Sequence, residues 1–415
     1  MGAHPLSFSK LDFATTPFLV IWEVTRACAL ACRHCRAEAD ERRDPNELTL
    51  EQGKQLLDAV QGLGTPVCVL SGGDPLKRLD LAELVQYGAS LGLRMATIPA
   101  ATPALTYERL SELKQAGLAQ IAFSLDGSTA AYHDDFRQVP GTFERTLQGI
   151  TWAKELGLPL QINTTFARRN WHDVEGLFAL VESLGIVFWE VFSMVPVGRG
   201  AELETLGAAE HDELFARLWQ LSSRASFVIK VTEAPHYRRH VLEQRAMLRA
   251  RGEASEVASQ HPHARLAQLG GHGPGSPAGR PPHTLSSGSA IPAQLSRELS
   301  TADSFGAKAK GINSGKGFCF VSHVGDVYPS GFFPQAVGNV KSQPLAELYR
   351  ESPLMRELRD PSRLKGRCGR CEYADVCGGS RARALAMFGD HLAEDPACSY
   401  DPPRARPPAE AAGRE

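Results

Sequence analysis

Phe18-Leu19-Val20-Ile21-Trp22-Glu23-Val24, followed closely by Cys28-Ala29-Leu30-Ala31-Cys32-Arg33-His34-Cys35, is the stretch on which the fold of this chain turns. The first run is rich in β-branched and aromatic residues and predicts a buried strand, so the cysteines open a loop at its C-terminal end. In a barrel of parallel strands that end carries the active site. Three thiolates this close can hold three corners of a [4Fe-4S] cube and leave one iron open, whereas a cluster that only carries electrons normally takes four ligands.

The spacing of Cys28, Cys32 and Cys35 resembles that of the radical S-adenosylmethionine (SAM) enzymes. The resemblance implies that these cysteines hold the cluster and that SAM chelates the fourth iron through its methionyl amine and carboxylate. One electron from a low-potential donor, such as flavodoxin or ferredoxin, would then cleave SAM to a 5'-deoxyadenosyl radical. His34 matches the family position usually held by an aromatic beside the adenine. A structural zinc site is the alternative, but zinc normally demands a fourth protein ligand in tetrahedral geometry, and His34 sits between two of the proposed ligands.

Two further segments carry the same resemblance. Pro66-Val67-Cys68-Val69-Leu70 predicts a second buried strand running into Ser71-Gly72-Gly73-Asp74-Pro75, where paired glycines let backbone groups approach a ligand closely. This resembles the family's Gly-Gly-Glu-Pro segment, which grips the methionyl amine, with Asp74 one methylene shorter than the usual glutamate. Gln120-Ile121-Ala122-Phe123 leads into Ser124-Leu125-Asp126-Gly127, where Ser124 and Asp126 are expected near the ribose and Asp126 could accept hydrogen bonds from its hydroxyls or from the amine of SAM.

Strand and helix signals alternate through the first half. Strands are predicted at Leu93 to Ile98, Gln120 to Phe123, Leu160 to Phe166 and Ile186 to Phe192. Helices are predicted at Leu48 to Val60, with a Thr49/Gln52 capping box, and at Leu81 to Ser90, Tyr107 to Ala116, Phe143 to Leu156 and Trp171 to Leu184. Such alternation implies parallel strands covered by helices. The predicted class is α/β, a partial (β/α)6 TIM-like barrel with a C-terminal cysteine-rich auxiliary-cluster domain. A doubly wound sheet is the competing architecture, but its glycine-rich dinucleotide fingerprint is absent.

The 415 residues, 43% of them hydrophobic, suffice for two or three units. A formal net charge of -2 makes no general electrostatic case for nucleic acid or an anionic membrane. The sequence has neither the long apolar run of a membrane span nor a basic and apolar export signal, so a cytoplasmic location is expected. The nine cysteines fall largely into ligand-like arrays instead of a disulfide framework.

The second array is Cys368, Cys371 and Cys377, with Cys398 after a gap that accommodates a short helix at Ala382 to Met387. Four thiolates can complete a [4Fe-4S] cluster, and zinc remains an alternative from the count alone. The stretch resembles the SPASM domain of radical SAM maturases, which commonly holds two auxiliary clusters; these four cysteines match the set for the outer one. At the inner set Ser330 and Ser380 stand where the family has cysteines, and serine is a poor thiolate substitute on iron. One auxiliary cluster is therefore expected. Cys319 could still donate one ligand, but it and Cys68, each isolated among apolar residues, read as small buried side chains.

The expected organisation is an N-terminal extension (1–16), the partial barrel (17–225), a bridging segment with a flexible Gly/Pro/Ser/His-rich insertion (226–311), the SPASM-like domain (312–400) and a tail (401–415). Arg238, Arg239 and Arg280 could pair with substrate carboxylates, and His261 and His263 could contact iron or an acidic substrate. Pro196-Val197-Gly198-Arg199 resembles a segment of SPASM enzymes of haem and haem d1 biosynthesis, which implies hydrogen abstraction from a tetrapyrrole. Peptide maturation is the alternative substrate class, disfavoured by the short segment before Cys28. A noncatalytic iron-sulfur interaction module is a more distant alternative, since it gives no reason for the SAM-like motifs.

Overall fold

The computed structural model describes residues 11–252 and 311–402, so His261, His263 and Arg280 lie outside the described residues. β1 (Leu19–Glu23), β2 (Val67–Ser71), β3 (Arg94–Thr97), β4 (Gln120–Ser124), β5 (Leu160–Phe166) and β6 (Phe188–Ser193) run parallel as neighbours in chain order. The helices between them are α1 (Leu50–Gly62), α2 (Leu81–Ser90), α3 (Tyr107–Gln115), α4 (Ala130–Arg137), α5 (Thr142–Glu155) and α6 (Val174–Ser183). All six predicted strands are present. The predicted capping box is formed at α1, where Gln52 N donates to Thr49 Oγ1 and Thr49 N donates to Gln52 Oε1.

The parallel sheet is wider than six strands. After α7 (Ala208–Arg224), β7 (Val228–Thr232) pairs with β6, and α8 (His236–Ala250) follows. β8 (Phe318–Val321) pairs parallel with β1, although the whole of β2 to β7 lies between them in the chain; β9 (Asp326–Tyr328) and β10 (Gly338–Asn339) extend that edge antiparallel. The order β10-β9-β8-β1-β2-β3-β4-β5-β6-β7 is an open barrel of eight parallel strands with a short antiparallel margin. β7 falls in the segment expected to bridge the barrel and the C-terminal domain, because strand pairing is a long-range property that periodicity does not encode.

Alternation along each strand divides the side chains into two faces. Val20 and Trp22 point outward, and the Trp22 ring packs over Gly53 of α1, where a Cβ would lie 2.6 Å from the ring. The inward face encloses a cavity of about 390 Å³, within the usual range for small-molecule sites. Its wall from β8, β1 and β2 is mostly apolar, with Phe318, Phe320, Leu19, Ile21, Val67 and Val69, although Ser71 also lines it and the Arg36 guanidinium lies over the Phe320 ring. The opposite wall, from β4 to β7, offers Gln120, Gln161, Asn163, Glu190, Lys230 and Thr232.

Candidate functional site

The cysteine loop leaves β1 at its C-terminal end and is held from both sides. Cys28 N donates to Asp40 O at 2.6 Å, closing the loop on itself. Gly73 N donates to Thr25 O at 2.8 Å and Asp74 N to Ala27 O at 2.7 Å. A Cβ on Gly73 would stand 2.4 Å from Arg26 O and one on Gly72 2.4 Å from Thr25 O, so the tight neighbours of these glycines are the loop's own carbonyls. Asp74 is buried; its carboxylate accepts from Leu76 N at 3.1 Å, Ala100 N at 3.3 Å and Thr102 Oγ1 at 2.5 Å, tying the β2 and β3 loops together. Burial pushes its pKa up against these donors.

Pro196-Val197-Gly198-Arg199 clamps the far side of the same loop. Arg199 N donates to Cys35 O at 3.1 Å, Nε to Cys32 O at 3.0 Å and Nη1 to Ala39 O at 3.1 Å. Gly198 has φ +55°, and a Cβ there would lie 2.6 Å from Cys35 O, so both conformation and space demand glycine. This end of β6 thus fixes the backbone that carries Cys32 and Cys35.

Cys28 and Cys32 are buried in one small apolar cluster with Leu30, and Cys35 packs against it. Burial pushes the Cys28 thiol up to about 12, and raises Cys32 against the pull of Arg137. Arg137, the last residue of α4, was missed in the sequence because that helix carries only two buried residues, His133 and Phe136, a pattern too short to register. Its Nη1 lies 3.7 Å from Cys32 Sγ and its Nη2 2.5 Å from Asp126 Oδ2. The second contact is an ion pair, and beyond it Arg137 Nε is buried without a hydrogen-bond partner.

Asp126 is completely buried at the C-terminal end of β4 and accepts from Thr165 N through Oδ1 at 2.8 Å. Burial pushes its pKa up, but Arg137 together with the neighbouring His34, His133 and Thr165 N–H holds the carboxyl below its usual value. Arg137 in turn resists burial through Asp126 and stays above the ordinary arginine range. His34 stacks on Phe136 with ring centroids 4.4 Å apart at 17°; its Nδ1 is buried without a partner, and burial pulls its pKa down to about 3. A neutral ring is therefore presented beside the cysteines at neutral pH. Ser124 closes β4 in register with Asn163 of β5.

The second array also converges. Cys368, Cys371, Cys377 and Cys398 line one small pocket with His236, Arg239 and Asp395. Gly379 N donates to Cys377 Sγ at 3.4 Å, Asp395 N to Cys368 Sγ at 3.4 Å, and Arg381 Nη2 to Cys368 Sγ at 3.8 Å. Burial raises all four thiols, Cys371 to about 11. Among the described residues, no three His, Cys, Asp or Glu side chains meet closely enough to hold a single metal ion.

The two serines of the inner set are committed elsewhere. Ser380 caps the helix Arg381–Phe388 by accepting from Arg383 N at 3.1 Å, and its hydroxyl donates to Glu233 Oε2 at 2.6 Å. Ser330 Oγ accepts from Ser314 Oγ at 3.0 Å. Cys319 alternates with cavity-lining Phe318 and Phe320, so it faces away from the cavity, is fully buried, and has its thiol pushed up to about 12 by burial. Of the proposed arginine contacts, Arg238 lines the cavity while donating to Val376 O and Ile312 O; Arg239 pairs with Glu243 and lies over the Tyr400 ring by the second cysteine array.

An expected result tests the Asp126–Arg137 pair. Asp126→Asn keeps an acceptor for Thr165 N but removes the charge opposite Arg137, and should weaken SAM binding by at least about tenfold, a charge-assisted contact being worth roughly 1.5–3 kcal/mol. Calorimetry on the anaerobic protein measures it; unchanged affinity would reject a role for this carboxylate in SAM recognition.

Residues 22–181 match the model of the Radical SAM superfamily. The chain is 38% identical over 414 residues to the AdoMet-dependent heme synthase of Nitratidesulfovibrio vulgaris, covering 98% of this chain and 100% of the relative. It is 37% identical to the protein of that name from Methanosarcina barkeri, covering 94% and 99%. Streptococcus suis SuiB, solved with S-adenosylmethionine bound, superposes with a TM-score of 0.62 at 14% identity, covering 93% of this chain and 78% of that one. Among the described residues no helix is long and apolar enough to cross a membrane. The chain belongs to the radical SAM superfamily, whose enzymes use SAM and a [4Fe-4S] cluster, in the branch that contains the AdoMet-dependent heme synthases.

Proposed function

We propose that this enzyme modifies a tetrapyrrole in haem-related metabolism, with Cys28, Cys32 and Cys35 holding the SAM-binding cluster. The observation that carries the site assignment is the set of buried polar atoms beside those cysteines with bonding capacity to spare: Arg137 Nε and His34 Nδ1, which have no hydrogen-bond partner, and Asp126 Oδ2, which is held only by its ion pair with Arg137. Buried polar groups are costly to leave unpaired, and these three suit a zwitterionic amino acid and a purine nucleoside. An iron-sulfur cube spreads its thiolates over its corners, so it does not need the close convergence that a zinc ion does.

When bound, the cluster and SAM supply one-electron chemistry that removes a hydrogen atom from an unreactive carbon. The chain's own residues prepare the place for it. Arg199 and Gly198 hold the cysteine loop, the backbone of Gly72, Gly73 and Asp74 offers polar groups for the methionyl end, and Arg137 faces the methionyl carboxylate. Asp126 and Ser124 serve the ribose, and His34, neutral and stacked on Phe136, lies beside the adenine. The barrel cavity orients the substrate beneath this site and excludes water, so that little of the barrier is spent on positioning.

The substrate class rests on the names of the relatives and on the cavity's two unlike walls, one mostly apolar and aromatic, the other polar, which match a flat macrocycle with acidic arms. Cys368, Cys371, Cys377 and Cys398 would hold one auxiliary [4Fe-4S] cluster that carries electrons. The enzyme requires a reductant, for which flavodoxin or ferredoxin in the cytoplasm is the proposed source. Anaerobic enzyme with SAM, dithionite and either an iron porphyrin carrying carboxylate arms or an unmodified peptide decides the class. Porphyrin-dependent formation of 5'-deoxyadenosine with loss of mass from the porphyrin is expected; peptide-dependent formation alone would overturn the tetrapyrrole reading.

A further inference from the structure

Five successive strands contribute to one polar layer inside the barrel. Arg94 Nη2 on β3 donates to Gln120 Oε1 on β4 at 3.2 Å, and Gln120 Nε2 donates to Gln161 Oε1 on β5 at 2.9 Å. Gln161 Nε2 donates to Glu190 Oε2 on β6 at 2.7 Å, and Thr232 Oγ1 on β7 donates to Glu190 Oε1 at 2.7 Å. A guanidinium can only donate and a carboxylate can only accept, so both amides are fixed in one orientation. Layers inside closed (β/α) barrels are ordinarily filled by bulky apolar side chains. Amides ordered between a cation and an anion, along the wall of an open cavity, suit a polar ligand better than a packed core.

Arg238 faces this cavity with its guanidinium engaged by the carbonyls of Val376 and Ile312, and two further cations there, Arg94 and Lys230, also lack an acidic partner among the described residues. Arg94 bonds through its side chain to Gln120, and burial lowers its pKa. Lys230 stands beside Glu190 in the β6–β7 register, yet its Nζ lies over the Phe188 ring, 4.4 Å from the centroid, while Gln161 and Thr232 engage the two oxygens of Glu190. The cavity's other carboxyl, Glu233, is bound by Ser380, and burial raises its pKa, which reduces its opposition to an anion. Cations partly withdrawn from water and lacking a counter-charge favour an anion that enters. In the sheet order β3 and β7 are four strands apart, so Arg94 and Lys230 reach the cavity from different sides. Each can therefore meet a different edge of a ligand that fills the cavity.

We propose that Arg94 and Lys230 are separate carboxylate anchors that hold two acidic arms of one large substrate, with its apolar plane against Ile21 and Phe320. This assignment rests on the tetrapyrrole reading above. Arg94 opens β3 at its N-terminal end, whereas the cysteine loop and Asp126 lie at C-terminal strand ends. The arm held by Arg94 is therefore remote from the SAM site, and it orients the macrocycle without being the arm that reacts.

The test is fluorescence titration of the anaerobically reconstituted full-length protein, with SAM present, using coproporphyrin and its tetramethyl ester as probes. Wild-type protein should bind the free acid at least about tenfold more tightly than the ester. Arg94→Met and Lys230→Met should each weaken binding of the acid by about tenfold while leaving the ester unaffected, and Arg94→Lys and Lys230→Arg should recover most of the loss. Unchanged acid binding in both methionine variants overturns the assignment. Equal losses for acid and ester would also overturn it, because they mark a merely structural role. Binding of neither porphyrin by the wild-type protein overturns the tetrapyrrole reading itself, and the anchors with it.

Discussion

Cys32→Ala should abolish reductive SAM cleavage while leaving the auxiliary cluster in place. Cys32 is buried, its carbonyl is held by Arg199 Nε at 3.0 Å, and its sulfur faces the Arg137 guanidinium. Removing the thiol leaves two ligands for the SAM cluster and takes away one of the two anionic groups that face Arg137. The iron content should fall from about eight to about four atoms per chain, all of the remainder in the C-terminal set. Iron and sulfide analysis with electron paramagnetic resonance measures the division, and 5'-deoxyadenosine formation should drop to background. Arg199→Met separates ligand loss from loop misplacement. It keeps all three thiols but frees the carbonyls of Cys32 and Ala39, and it should lower cluster occupancy without eliminating cleavage. Unchanged cleavage in Cys32→Ala would reject this loop as the SAM-cluster site.

The sequence showed the barrel well because its strand and helix signals are local and alternate cleanly: the six predicted strands and the α1 capping box are all present. What it hid was long-range. β8 joins β1 across most of the chain, and no periodicity encodes a partner so distant. Arg137 and Arg94 were equally invisible, one at the end of a short helix with two buried residues, the other opening a strand that reads as ordinary alternation. Their roles come from what faces them, a cysteine sulfur in one case and a ladder of amides in the other. The paired glycines at 72 and 73 were legible as a close approach, but the nearest contacts are the carbonyls of Thr25 and Arg26. Ser380 shows why an absent cysteine can be informative: in its place a helix cap and a bond to Glu233 complete a buried polar network.

Cys377→Ala tests whether that network and the outer cysteines divide the C-terminal region as proposed. The Cys377 thiol is buried, accepts from Gly379 N at 3.4 Å, and has its pKa raised by burial, so without iron it stays protonated at neutral pH. Metal loading must displace that proton, and the alanine variant cannot supply the ligand. The variant should lose about four of about eight irons and keep substrate-independent SAM cleavage, because the first cysteine loop is anchored by β1, β2 and the segment after β6 and not by this array. Substrate-dependent turnover should fall by at least about tenfold if the auxiliary cluster carries electrons, whereas a purely structural cluster would show its loss as a lowered melting temperature with normal turnover in the surviving fold. A metal-resolved anomalous diffraction map of the anaerobic wild-type protein fixes the reference state. Iron at two positions is the expected result; zinc at the four sulfurs would remove the redox role, and a third cluster would mean that Ser330, Ser380 and Glu233 rearrange to admit it. The hydrogen bonds that Ser330, Ser380 and Glu233 make to Ser314, Arg383 and one another argue against that rearrangement, since each would have to be broken to free a ligand.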